Sequence, residues 1–316
     1  MAQNVPRLQH YVPQLLLKQF ARPDGKLWAY DSENQKMFCT SPNALAAEGD
    51  FYGDPALERW LSREIEGPGA AAIQKLLERQ ELSTEQIKAF FVFVAAQMQR
   101  TPAHLERIAS TFAPEFQEIA DRMAKYDLEF RSNVLAAAKA AGDSDAEIEE
   151  FKKLLDEGAF QVEPTREFTI GAAFQVLELL ANELRKMCWT FLEVYPTDPN
   201  LIIGDHPVTL ADVGPDGTPV KPLGIKNPNI ELVMPLSSRF AALAHWDGPI
   251  SYGVLGAGMA EQLNERTLRH AHRFVYASFE SPDLLQNVIS LRGTGPRARV
   301  HRIMVGDKLL MVSVYS

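Results

Sequence analysis

The chain has 316 residues, 46% hydrophobic and 23% charged, a globular composition with ample material for a large core. Its formal net charge of -9 disfavours general attraction to nucleic acid or to anionic lipid. Cys39 and Cys188 are the only two cysteines and stand far apart, so they form neither a disulfide framework nor a metal-spaced pair, which suits a reducing cytoplasm.

The amino end shows no basic segment leading into a long apolar run, so no signal peptide is expected. In "LQHYVPQLLLKQFA", Pro13 lacks an N–H, suits the first turn of a helix and pushes Val12 out of the α region. "PQLLLKQF" then reads as a short helix with Leu16 and Phe20 on one face. "KLWAYD" and "KMFCTS" alternate as a β-hairpin joined through "SENQ", and "GDFYGD" reads as a turn. "PALERWLSREIE" and "GAAAIQKLLER" read as two helices interrupted by Gly67-Pro68-Gly69. Ser83 with Gln86 predicts a capping box opening a strong helix through Arg100. That helix carries "AFFVFVAAQM", the longest apolar stretch, about half of a membrane span, so no membrane is expected. Thr101 and Pro102 restart the helix as cap and first residue, and helical pieces follow to about Glu157. A further helix over 169–186 is apolar all round, which predicts a central position.

After Met187 the period changes. "CWTFLEVY", "NLIIGD", "IELVMPLS", "RFAALAHW", "RFVYASF" and "KLLMVSVY" read as strands, separated by turns such as "VGPDGTP" and "KNPN". A helix from about Gly258 to His272 and a shorter one around "PDLLQNVISL" lie among them. These elements predict one α+β domain over 1–316: a helical middle, a mostly antiparallel carboxy-terminal sheet and an amino-terminal β-hairpin. A split into subdomains 1–190 and 191–316 is the alternative.

Charge is uneven. Arg266 to Arg302 carries +5, leaving -14 on the remainder, whereas "DSDAEIEEFKKLLDE" has seven acids and two lysines. Both read as solvated faces or internal pairing. Four places carry candidate chemistry. His10 precedes a helix start, where the dipole favours neutral imidazole, a base or metal ligand; the alternative is that it and Tyr11 satisfy main-chain groups. In "LIIGDHPVTL", Asp205 stands at a strand end and Pro207 keeps His206 extended, so the two point apart; the alternative is a capping turn made by Asp205. In "QMQRTPAH", Gln97, Arg100 and His104 fall at helical spacing, and a buried Arg100 would hold a carboxylate such as Asp205 or an anionic ligand. In "EQLNERTLRHAHR", Gln262, Arg266, Arg269 and Arg273 form a polar stripe suited to phosphates or to solvent. His270 and His272 are a weak metal pair. "YGVLGAGMAEQL" mimics a dinucleotide loop, but Glu261 replaces the third glycine, so no NAD is expected.

"HYVPQLLLKQFA", "GKLWAYD", "DFYG", "QRTP", "GDHPV", "MPLS" and "LN…RFVYAS" together resemble the HYVP family, domain-of-unknown-function family 4238, a mostly bacterial group of about this length. Its second hallmark is usually Ser-Asp-Asn-Pro; here it is Gly204-Asp205-His206-Pro207. A position that takes Asn or His need not transfer a proton, so Asp205 outranks His206 as a reactive group. On the same basis His10, Tyr11, Arg100, Thr101 and Asn264 match family motifs, and the resemblance brings positions but no reaction.

The expectation is therefore a hydrolase acting on a phosphate-bearing or nucleic-acid-like substrate. His10, Asp205 and Asn264 would be catalytic, while Tyr11, Arg100, Thr101, His206 and Arg273 would bind substrate. A divalent metal and a small nucleotide-like ligand fit this reading. The alternative is a non-catalytic intracellular binding protein in which the same residues form a structural polar network.

Overall fold

A computed structural model describes residues 8–49, 51–212, 224–246, 251–295, 298–305 and 308–315, the last two as main chain alone. Strand β1 (Leu8–His10) and helix α1 (Gln14–Lys18) are followed by β2 (Leu27–Asp31), β3 (Lys36–Thr40) and β4 (Ala47–Gly49). Helix α2 (Pro55–Trp60) runs through a π-helical turn, Leu61–Glu66, into α3 (Gly67–Leu77). Next come α4 (Thr84–Gln99), α5 (Pro102–Tyr126), α6 (Leu128–Ala141), α7 (Asp145–Glu157), α8 (Arg166–Gln175) and α9 (Leu177–Leu184). The sheet-rich part holds β5 (Cys188–Glu193), β6 (Ile203–Gly204), β7 (Thr209–Asp212), β8 (Ile230–Ser237), β9 (Phe240–His245) and β10 (Ser251–Val254). Helix α10 (Met259–His270), β11 (Phe274–Ala277), α11 (Pro282–Leu291), β12 (Ala298–Val305) and β13 (Lys308–Tyr315) complete the chain.

The fold is α+β with mostly antiparallel strands. It divides into two compact units, 1–104 with 173–316, and Leu105–Ala172. The division excises an internal helical segment rather than falling near residue 190. In that segment Phe112 and Phe116 lie 5.3 and 4.8 Å from Phe168, and Gln117 donates to the Phe160 carbonyl. Its acidic helix α7 is a solvated face with internal pairs, Lys152 to Glu149 and Arg131 to Asp156.

In the larger unit the β2–β3 hairpin does not pack as a separate layer. It joins β11 and β6 in one antiparallel sheet of order β3-β2-β11-β6. Leu268 and Ala271 at the end of α10, with Leu284 and Val288 of α11, pack against Tyr30, Val275 and Ala277 of that sheet. A second sheet has the order β10-β5-β9-β8-β7, antiparallel except for β10 on β5. The short β1 pairs with β4. "NLIIGD" contributes only two strand residues, because Asn264 takes the Ile202 N–H that a neighbouring strand would otherwise accept. "KNPN" forms the turn before β8, and "VGPDGTP" lies outside the described residues.

Two local expectations change. Gly67-Pro68-Gly69 does not interrupt the helix. Pro68 lacks an N–H and would crowd the Glu64 carbonyl; the wide π turn just before it relieves both while the axis continues. Gly69 then allows α3 to meet α4, since a Cβ there would stand 2.5 Å from Phe93 Cδ2. The helix expected over 169–186 is not central: it splits at Val176, and Leu179 is 68% exposed. The central helix is α4, opened by the Ser83–Gln86 capping box and burying Phe90, Phe93, Val94, Ala95, Ala96 and Gln97. Among the described residues no helix is long and apolar enough to cross a membrane.

Candidate functional site

Alternation along the strand sends His10 and Tyr11 to opposite sides, and each enters a different polar cluster. The His10 ring is 7% exposed, and its Nε2 lies 3.3 Å from the Asn43 carbonyl. Burial lowers its pKa, opposed by that carbonyl and by Glu66. Tyr52 donates its hydroxyl to the His10 carbonyl at 2.9 Å. Beyond them lies Arg100, with no exposure, donating Nη1–H to Glu66 at 2.6 Å and Nη2–H to Gln97 Oε1 at 3.3 Å. Burial works against its charge, and Tyr52, Glu66 and Glu58 more than offset it. Glu58, half-buried on α2, has a pKa pushed up to about 7 by burial first and by the Glu66 charge second, with Arg100 opposing. Three buried atoms here have no hydrogen-bond partner among the described residues: Glu58 Oε2, Gln97 Nε2 and Arg100 Nε.

The second cluster is built on Asp205, 2% exposed just past β6. Its Oδ1 accepts the His272 N–H at 2.8 Å, and its Oδ2 accepts the Arg273 and Phe274 N–H groups, each at 2.7 Å. Burial raises its pKa against those three donors, which favour the ionised form. Asp205 therefore ties the turn from α10 into β11 to the end of β6. The buried Tyr11 lies beside it, packed 5.4 Å from Phe51; burial first and the Asp205 charge second raise its hydroxyl pKa. The Tyr276 hydroxyl, also in this cluster, is buried without a partner at hydrogen-bonding geometry among the described residues.

His206 Nδ1 lies 3.1 Å from the hydroxyl of Thr101, the residue after Arg100, and Phe51 packs between Tyr11 and Tyr52. Asp205 and His206 stand in a bend of the chain and take different partners, the main-chain N–H groups of 272–274 and the Thr101 hydroxyl. The signature residues take partners other than the expected ones. Arg100 holds Glu66 and not Asp205. His10 touches the Arg100 cluster, while Asp205 is saturated by main-chain N–H groups.

Asn264 belongs to neither cluster. Its Oδ1 accepts the Ile202 N–H at 3.0 Å and its Nδ2 donates to the Asn200 carbonyl at 2.9 Å, so it clamps the segment entering β6. Arg273 is committed to Asp31 through two hydrogen bonds, 3.0 and 2.7 Å, with Glu33 at 3.2 Å. Burial alone would raise the Asp31 pKa; Arg273 and Asn34 hold it well below the usual carboxylate range. The arginine stripe dissolves likewise. Arg266 pairs with Glu231 and Arg269 with Glu265, and Arg273 lies beyond the end of α10. The side chains of Arg297, Arg299 and Arg302 lie outside the described residues. His270 of the proposed metal pair places its ring nitrogens 2.9 and 3.1 Å from the Arg266 and Leu210 carbonyls. No group of three or more His, Cys, Asp or Glu among the described residues is arranged to hold a metal ion, so no step is routed through one.

A family model described as "Protein of unknown function (DUF4238)" matches residues 8–281. The chain belongs to this family. No curated protein and no solved structure matches it. DUF4238 membership covers both polar clusters but leaves β12 and β13 outside the match. Sequence reading missed Glu58 and Glu66 at the centre of the first cluster, because "PALERWLSREIE" reads as a charged, solvated helix. No residue pattern within that segment marks the two carboxyls as neighbours of Arg100.

Proposed function

We propose that this DUF4238 chain is a hydrolase acting on a phosphate-bearing substrate, with its reactive centre at Glu58, Arg100 and His10. The observation that supports this reading is the set of unpartnered atoms around Arg100: two N–H donors, on Gln97 and Arg100, and one carboxyl acceptor on Glu58. Two donors suit an anionic oxygen, and the acceptor suits a proton. A carboxyl titrating near neutrality beside a second one held by arginine is an acid–base arrangement. In this reading Glu58 takes a proton from water as the water oxygen attacks phosphorus, and the leaving oxygen departs with the electrons of its bond. Arg100 and Gln97 stabilise the developing negative charge. Asp205, Asn264, Thr101, His206 and Arg273 position the surrounding segments. An intracellular setting belongs to the same proposal, supported by two free thiols, Cys39 and Cys188.

A second reading is favoured by the saturation of Asp205: a non-catalytic binding protein in which all signature residues form a structural network. One experiment separates them. The purified chain is assayed with p-nitrophenyl phosphate and bis-p-nitrophenyl phosphate, beside Glu58→Gln. The hydrolase reading expects turnover that Glu58→Gln abolishes with little change in melting temperature. No turnover by the wild-type chain, or turnover that survives the substitution, leaves the network reading.

A further inference from the structure

Away from both clusters, the larger unit carries a cavity of about 420 Å³ whose wall combines aromatic and aliphatic side chains with polar ones at one end. Ile87, Phe90 and Phe91 of α4 face Trp189 and Phe191 of β5, and Tyr252 of β10 lies at the edge. Phe90 and Arg100 are ten residues apart on the same helix run, roughly 15 Å at the helical rise. The wall is rigid. Trp189 is buried, donates its indole N–H to the Leu184 carbonyl at 2.8 Å, and packs 5.3 and 5.5 Å from Phe90 and Phe91. Tyr252 lies over Phe191 at 5.4 Å with a 35° tilt, yet is 41% exposed. Pockets of a few hundred Å³ with an aromatic wall are the usual form of small-molecule sites. A cavity of about 150 Å³ accommodates one benzene ring, so this one has room for two fused rings and a polar substituent.

The mouth supplies the polar part. Arg79 and Arg185 line it against one carboxylate, Glu81, with Gln80 between. Arg79 is paired with Glu193 at 2.5 Å, whereas Arg185 has no ion pair among the described residues. Helix α3 ends with Gln80 N–H donating to the Lys75 carbonyl and Arg79 N–H to that of Leu76. This closure places its penultimate donor in the left-handed region, normally a glycine. Here it is Arg79, at φ 54°. The helix end thus fixes Arg79 at the rim, where Glu193 holds its guanidinium and leaves Arg185 as the cation at the mouth.

We propose that this cavity binds a planar aromatic carboxylate, its rings against Ile87 and Tyr252 beside the edge of Phe91 and its carboxylate on Arg185. The site is independent of the hydrolase reading. The test is isothermal titration of the full chain with 2-naphthoate, its uncharged counterpart 2-naphthamide, and acetate. The expected result is saturable 1:1 binding of 2-naphthoate, weaker binding of the amide by about 10-fold, the worth of one charge-assisted contact, and none of acetate. Arg185→Gln reduces naphthoate affinity by a similar factor and leaves that of the amide unchanged, with an unaltered melting temperature showing that the fold is kept. Tyr252→Ala weakens both aromatic probes. Equal affinity for acid and amide, insensitivity to Arg185→Gln, or no binding of 2-naphthoate would overturn the proposal.

Discussion

Arg100 and Glu66 form a 2.6 Å ion pair in which the guanidinium has no solvent exposure and the carboxylate side chain keeps 13%. Glu66 is the carboxylate that neutralises this buried guanidinium. Glu66→Gln is therefore expected to destabilise the chain by about 3–5 kcal/mol, the cost of leaving a buried charge unpaired. Urea unfolding of the two proteins measures it. A change of under 1 kcal/mol would show that the guanidinium finds water in solution.

Glu58 gives the opposite sign. Its folded pKa of about 7 lies above its ordinary 4.5. Between those values the folded state keeps a proton that the unfolded chain has released, so stability falls as pH rises through this window. The contribution is complete below 4.5 and gone above 7. Glu58→Gln flattens that part of the stability–pH profile, whereas under the proposed chemistry wild-type activity rises through the same window as the base ionises.

Asp205→Asn is expected to cost about 3 kcal/mol or more. The amide retains one acceptor for three main-chain N–H groups and turns its own NH₂ toward them, and each buried donor left unpaired costs about 1–3 kcal/mol. Chemical denaturation checks it, and a variant as stable as the parent would contradict the geometry.

The His270 ring lies between two carbonyls, but burial drives its pKa down to about 4. The unfolded chain binds a proton at this residue below 6.5 and the folded chain does not until about 4. Stability contributed here falls as pH drops through that interval. Ring-proton NMR should find His270 neutral at pH 5.5, and a midpoint above 6 would be incompatible with the burial.

Gly69→Ala sets two effects against each other. Alanine favours a helix interior by about 1 kcal/mol over glycine, but here its Cβ would stand 2.5 Å from Phe93. Overpacking of about 1–3 kcal/mol outweighs the gain. A lower melting temperature is expected, with recovery in the double variant Gly69→Ala, Phe93→Leu.

Local chemistry fixed much of this protein in the one-dimensional chain. The Ser83–Gln86 box, the Thr101-Pro102 restart, the β2–β3 hairpin and the capping helix starts are decided by residues within a few positions of one another, so they were legible. The identity of the signature residues was legible too. What partners these residues take was not. That Arg100 meets Glu66 across 34 positions, that Asp205 closes on amides 67 to 69 residues away, and that α4 rather than the 169–186 segment is central all depend on which surfaces pack. A buried charge must be matched by whatever the fold brings to it, and periodicity along the chain carries no record of that neighbour.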